Sequence, residues 1–324
     1  YLNGRLASFR GDRTTGAALL SAAQAMVPEQ PVLADEAFRE GLFAGDLDEV
    51  VRLTPMVSQT PQLAEAGRFV EVIQSFRRGD ARTSLAIMQG GQFTEFFGIG
   101  VRFLKPIVAA AAGDWDTATA PVIASPRDPA SLILRLNRAQ LLERRRRYDE
   151  AEAEFRSVST NAAVAPYVAI PFGAFLERRR RHDEAIAVYD AAMNGQQTDA
   201  VLTAARERAA ARRRPPALPS LIDEGADALM FIAGGAKQAE ASDLAIIYLR
   251  LAESLRPDSM TAYELGEALA KAQREQPARE AFARVKPSDQ LIYAEAQYST
   301  GESYAREDKD EEALEAFRRA DAAV

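Results

Sequence analysis

A Gly-Asp pair recurs early in the chain, at Gly11-Asp12, Gly45-Asp46, Gly79-Asp80 and Gly113-Asp114, each 34 residues after the last. Constant spacing of this kind means that one supersecondary unit is being repeated. An ordinary helical bundle gives no such interval. Downstream the dipeptide changes but the frame holds. Glu143-Arg-Arg-Arg-Arg-Tyr-Asp-Glu-Ala151 returns as Glu177-Arg-Arg-Arg-Arg-His-Asp-Glu-Ala185, again 34 residues on.

Each unit has the same layout. An apolar-periodic helix of about a dozen residues runs to the Gly-Asp or Arg-Arg turn, and a second helix follows. The second helix carries a small residue, a larger apolar one four later and a further small or apolar one three later. Ala151, Phe155 and Val158 show this, as do Ala185, Tyr189 and Ala192, Ala245, Leu249 and Ala252, Ala278, Phe282 and Val285, and Ala313, Phe317 and Ala320. Offsets of four and seven keep all three on one helical face. The small residues admit a neighbouring helix and the large one fills the groove. Gly173, Gly266 and Gly301 supply small partners in the first helices, and Pro28, Pro257 and Pro287 follow second helices, where a helix must stop. Acids open the second helices, and Asp149 with Glu152 has the spacing of a capping box. Trp115, Tyr148 and His182 occupy one aligned turn position, where a ring packs between helices.

These residues resemble the tetratricopeptide repeat family, whose unit is a 34-residue helix-turn-helix, and the resemblance covers nearly the whole of the 324 residues. It implies an all-α, right-handed superhelical solenoid of about nine hairpins. Between Ala185 and Ala245 the interval is 60 rather than 68. One helix is expected from Ala200 to Arg214, a break at Pro215-Pro216-Ala217-Leu218-Pro219, and a new helix from about Ser220 to Ala239. The chain therefore reads as an array over 1–198, an irregular segment over 199–219 and a second array over 220–324. In the family, first helices line a concave groove that holds extended or helical peptides. The positions that align with it are Phe69, Phe103, Ile133, Leu136, Asn137, Gln140, Tyr167, Ile170, Tyr263, Glu267, Tyr298 and Glu302. The lysine–asparagine–arginine clamp of repeats that bind chaperone C-termini is matched only by Asn137. The opening Tyr1-Leu2-x-Gly4-Arg5 and the stretch from Ala245 to Pro257 resemble long exported tetratricopeptide proteins of proteobacteria. That implies a periplasmic or otherwise exported location, with the cytoplasm as the alternative, and both ends read as cut.

No set of side chains for catalysis stands out. With no cysteine and one histidine, a thiolate nucleophile and the usual zinc sites are absent, and a histidine relay would need His182. The acids of Asp46-Leu47-Asp48 and Asp114-Trp115-Asp116 lack the rest of a calcium loop and read as helix caps. Gly90-Gly91 and Gly234-Gly235 follow no strand, so they read as loop or helix-end residues. A net charge of −7 argues against nucleic acid. No apolar run reaches the roughly 20 residues of a membrane span, so any membrane association is indirect. No cofactor, metal or enzymatic activity is expected.

Charge is unevenly spread. Residues 135–214 hold 16 Arg and 11 acids, for +5, while residues 289–321 hold 4 basic and 10 acidic residues, for −6. Arginine runs begin at 144, 178 and 212, and equal offsets in stacked hairpins set Arg144, Arg145, Arg178, Arg179, Arg212 and Arg213 along one edge. That edge either docks an acidic partner or complements the helix dipoles beneath it, worth about 0.3–1 kcal/mol each. The function expected is a protein-interaction scaffold or adaptor, holding a protein or peptide in the groove or along the arginines. The alternative is a regulatory or targeting part of a larger envelope assembly or enzyme whose catalysis lies elsewhere. Apolar faces at the two ends leave room for a homo-oligomer.

Overall fold

The structure, a computed structural model, describes residues 1–10, 12–123, 125, 130–161, 165–193 and 200–323, apart from the side chains at 95 and 165–167. Among these there are nineteen α-helices and no β-strand. The first eight are α1 (Leu2–Phe9), α2 (Arg13–Met26), α3 (Pro31–Ala44), α4 (Leu47–Leu53), α5 (Pro61–Arg77), α6 (Ala81–Gly90), α7 (Glu95–Ala112) and α8 (Trp115–Ala118). Next come α9 (Ala130–Arg144), α10 (Tyr148–Ser159), α11 (Ala165–Arg178), α12 (His182–Met193) and α13 (Ala200–Ala210). The last six are α14 (Leu221–Gln238), α15 (Ser242–Leu255), α16 (Ser259–Lys271), α17 (Glu275–Phe282), α18 (Gln290–Ala305) and α19 (Asp310–Ala323). The fold is all-α, and its repeating element is the tetratricopeptide-like hairpin.

The Gly-Asp pair divides its work between two helices. Gly45, Gly79 and Gly113 adopt left-handed φ of 84°, 82° and 86°, ending the first helix of a hairpin. The next residue turns its N–H back to the carbonyl five residues earlier, as Asp46 does to Gly41 and Asp80 to Ser75, both at 2.9 Å. That aspartate then caps the second helix, its carboxylate accepting from Glu49, Thr83 or Thr117 N–H at 3.1–3.2 Å. Asp12 does the same for Thr15 at 2.9 Å, while Gly11 lies outside the described residues. Beyond residue 113 the left-handed position passes to Arg146, Arg180, Arg212, Glu240, Gln273 and Asp308, at φ of 49–63°, with the same return bond following each. The frame slip is visible here. The interval is 34 from 146 to 180, then 32 to 212 and 28 to 240. Because α10 begins at Tyr148 with Arg147 as its N-cap, the capping-box reading of Asp149 and Glu152 does not hold. Asp149 lies inside the first turn, and Glu152 pairs with Arg181 at 2.5 Å.

Within each hairpin the small and large positions meet as the spacing predicts. A Cβ on Gly266 would lie within 2.8 Å of the Phe282 ring, and one on Gly173 within 2.5 Å of the Tyr189 hydroxyl. Ala151, Ala185, Ala245 and Ala278 are wholly buried, Ala313 is 4% exposed, and Phe155, Tyr189 and Phe282 are fully enclosed. Two details differ from the sequence reading. Helix α13 stops at Ala210 rather than 214, and Gly234-Gly235 lies inside α14 rather than at an end.

The helices form two compact units. Unit 1 comprises Tyr1–Val108 with Leu221–Val324, and unit 2 comprises Ala109–Ser220. The first boundary falls within α7, while the sequence reading puts a division at 199–219. In unit 2, α9 with α10 and α11 with α12 form successive hairpins and α13 packs on the second. Arg178 is fixed between Glu143, by two bonds of 2.7 Å, and the carbonyl of Pro216 at 2.9 Å, while Arg144 bonds the carbonyl of Pro219. The proline segment is thereby tied to the ends of α9 and α11. In unit 1, α15 packs against α3 and α5, far back in the chain; Arg250 and Phe43, for instance, are 207 residues apart. A chain in which each hairpin meets only its neighbours makes no such contact. Tyr248 donates to the carbonyl of Phe96 at 2.6 Å and meets Phe69 edge-on at 6.0 Å. Arg250 donates to the carbonyl of Phe43 at 3.2 Å, and Phe43 lies under the guanidinium groups of Arg13 and Arg274, at 4.6 and 4.9 Å.

Candidate functional site

Of the twelve groove positions, the structure brings four together on one open face. Phe69 and Phe103 are fully buried, the first among Phe93, Phe97 and Tyr248, the second against Phe231 at 5.4 Å. Ile133 and Leu136 are buried as well, at 8% and 7%. These four are core, because the packing of α15 and of neighbouring hairpins covers the face that an isolated array would expose. Asn137, Gln140 and Ile170 are half-buried, and the side chain of Tyr167 lies outside those described. Tyr263, Glu267, Tyr298 and Glu302 remain, on α16 and α18.

Helices α16 and α18 are the first helices of two successive hairpins and pack side by side. On α18 the residues at steps of four, three and four, Leu291, Glu295, Tyr298 and Glu302, make one exposed stripe. Leu291 is 67% exposed and Tyr298 55%. The adjoining face of α16 presents Met260, Tyr263, Glu264 and Glu267. Each tyrosine stem leans on the aromatic of its own second helix, Tyr263 on Phe282 at 6.0 Å and Tyr298 on Phe317 at 5.3 Å. The rings are therefore held in place while their outer edges stay open. Leu291, Glu295, Met260 and Glu264 flank the four expected residues and were missed by alignment, although their helical offsets from Tyr298 and Tyr263 were there to read.

The face is acidic. Glu264 pairs with Lys237 at 2.7 Å, and Glu267 accepts from the Ser299 hydroxyl at 2.8 Å. Among the described residues Glu267, Glu295 and Glu302 form no ion pair, although Arg306, paired with Glu275 at 2.8 Å, lies near enough to attract Glu302 and Glu267. By contrast, buried Glu143 is matched to Arg178 and buried Glu177 to Arg208. Burial, and then the carboxylates of Glu267, Glu295 and Glu264, push the Tyr263 hydroxyl up from 10.0 to about 12. Since folding favours the neutral phenol, its contribution to stability is intact below pH 10 and is lost as pH rises through about 12. In an ultraviolet phenolate titration, Tyr263→Phe should remove a step near pH 12, and Glu295→Gln should move that step down. An unmoved step would mean that Glu295 does not face the hydroxyl.

The arginine edge divides three ways. Arg144 and Arg178 are the inward anchors already described. Arg145 and Arg179 stack over Trp115 and Tyr148, at 5.4 and 4.0 Å, one hairpin apart, so the aligned aromatic position packs as expected. Arg212 and Arg213 are exposed, and so are Arg146 and Arg180, whose left-handed conformation turns them outward from the helix ends. His182 heads α12 with its Nδ1 buried and unbonded among the described residues, so no acid orients it for a relay. No helix among the described residues is long and apolar enough to cross a membrane.

No family model and no curated protein matches the chain. Solved structures do. MamA is 16% identical over 57% of this chain and 93% of its own, with a TM-score of 0.30. The TPR domain of P58(IPK) is 11% identical over 98% and 90%, with a TM-score of 0.27. Yeast Tom70 is 11% identical over 99% and 91%, with a TM-score of 0.28. None of the three says what this chain holds.

Proposed function

We propose that the protein is a non-catalytic scaffold that holds a basic segment of a partner protein against α16 and α18. The carrying observation is the cluster of carboxylates Glu267, Glu295 and Glu302, none in an ion pair among the described residues, interleaved with two braced tyrosines. A lysine or arginine laid between a tyrosine ring and a glutamate gains about 0.5–1 kcal/mol from the ring. An exposed ion pair adds about 0.2–1 kcal/mol. Leu291 and Met260 at the margins offer apolar contact to the stems of those side chains. Affinity therefore comes from several modest contacts, and salt weakens it.

The test uses a fluorescent helical peptide with lysine or arginine at every third or fourth position, beside a twin with glutamate there. Anisotropy should show binding of the basic peptide alone. Glu295→Lys with Glu302→Lys should weaken it about tenfold, the sum of two or more exposed pairs. Equal binding of both peptides, or binding indifferent to the reversal, would overturn the proposal.

A further inference from the structure

We infer that the basic segment is the arginine edge of a second copy of this chain, so that the protein associates head to tail. This rests on the groove reading above and names its partner. Arg146, Arg180, Arg212, Arg213 and Arg214 are exposed, and among the described residues none has an acidic partner. Arg146 and Arg180 occupy the same left-handed position in the turns of successive hairpins, φ 63° and 62°. The free carboxylates stand on α16 and α18, which are also one hairpin apart. One repeat thus sets the pitch of both rows, so cations and carboxylates can pair in register. The rows differ in sign as well as in place: residues 135–214 carry +5 and residues 289–321 carry −6.

Rigidity favours the same pairing. The edge arginines sit on turns tied down by Arg178 to Glu143 and by Arg144 to the Pro219 carbonyl, with Arg145 and Arg179 stacked on rings beneath them. Little backbone order has to be gained on docking. Because the two surfaces are different patches, the contact is heterologous, and it extends into open chains unless its rotation closes a ring.

Sedimentation of the full chain tests this. At low ionic strength, about 0.02 M, where screening is weak, the weight-average mass should rise with concentration above that of one chain. It should return to one chain at about 0.5 M salt. Glu295→Gln with Glu302→Gln should weaken association about tenfold, as should Arg146→Gln with Arg180→Gln in a separate protein. Glutamine already holds the same left-handed turn position at Gln273, so the second variant keeps its backbone. Mixed together, the two variants retain one intact edge and one intact groove between them and should form pairs that grow no further. A wild type that stays a single chain at low salt, or self-association untouched by either variant, would overturn the inference. Binding of the basic peptide by that single-chain wild type would leave the groove reading standing; loss of both would remove it too.

Discussion

Gly266→Ala should destabilise the protein by about 1–3 kcal/mol, while Gly234→Ala, the same change in a nearby first helix, should stabilise it by about 0.4–1 kcal/mol. Both glycines lie inside helices, α16 and α14, so both gain the helix-forming preference of alanine over glycine, about 1 kcal/mol. What differs is the space. A Cβ at Gly266 would lie within 2.8 Å of one Phe282 ring carbon and closer to two others, and Phe282 is completely enclosed. The ring cannot retreat, since Tyr263 meets it and its own helix is short, Glu275–Phe282. Around Gly234 nothing lies within 4 Å. Thermal unfolding decides between them, at about 2–4 °C per kcal/mol for a chain of this size. Should Gly266→Ala raise the melting temperature as Gly234→Ala does, the hairpin is not packed as closely as described.

That contrast shows how far the repeat could be read. Close packing needs one small residue against one large one, and both leave a periodic mark, so Gly266 with Phe282 and Gly173 with Tyr189 were visible in the spacing. The turns were equally legible, because a left-handed residue favours glycine and a helix start favours aspartate. What period could not show was contact between sequence-distant hairpins. Phe69 and Phe103 carry the groove pattern, yet the packing of α15 on α5 and of Phe231 on Phe103 makes them core. Of the positions with that pattern, Tyr298 and Glu302 are exposed and Tyr263 and Glu267 half-buried, and period alone does not separate them from the core ones. A similar limit applies to the arginines. Runs starting at 144, 178 and 212 mark an edge, but which members face outward depends on φ. In the first two runs the free members are Arg146 and Arg180, just past the expected positions, while in the third the expected Arg212 and Arg213 are themselves exposed.

Arg208→Met should cost about 3–5 kcal/mol, the largest loss expected of any single exchange here. The Glu177 side chain is fully buried and is held from two sides. Arg208 donates to its oxygens at 2.7 and 3.2 Å, and the Tyr189 hydroxyl donates at 2.7 Å. Methionine fills much of the arginine stem's volume but leaves the carboxylate without its counter-charge in a site closed to water. The frame slip explains why Arg208 holds this place. Glu143, the equivalent residue one hairpin earlier, is paired by Arg178, which follows it by 35 residues. The residue at that distance from Glu177 is Arg212, but the interval to its turn has shortened to 32, and Arg208 in α13 reaches the carboxylate instead. The single cation thus fastens α13 to the hairpin of α11 and α12 at the point where the repeat becomes irregular. Urea unfolding should show the loss for Arg208→Met and recovery of most of it when Glu177→Gln is added, since glutamine still accepts from Tyr189 and carries no charge to compensate. A double variant as unstable as the single one would mean that Arg208 acts through packing rather than through the buried carboxylate.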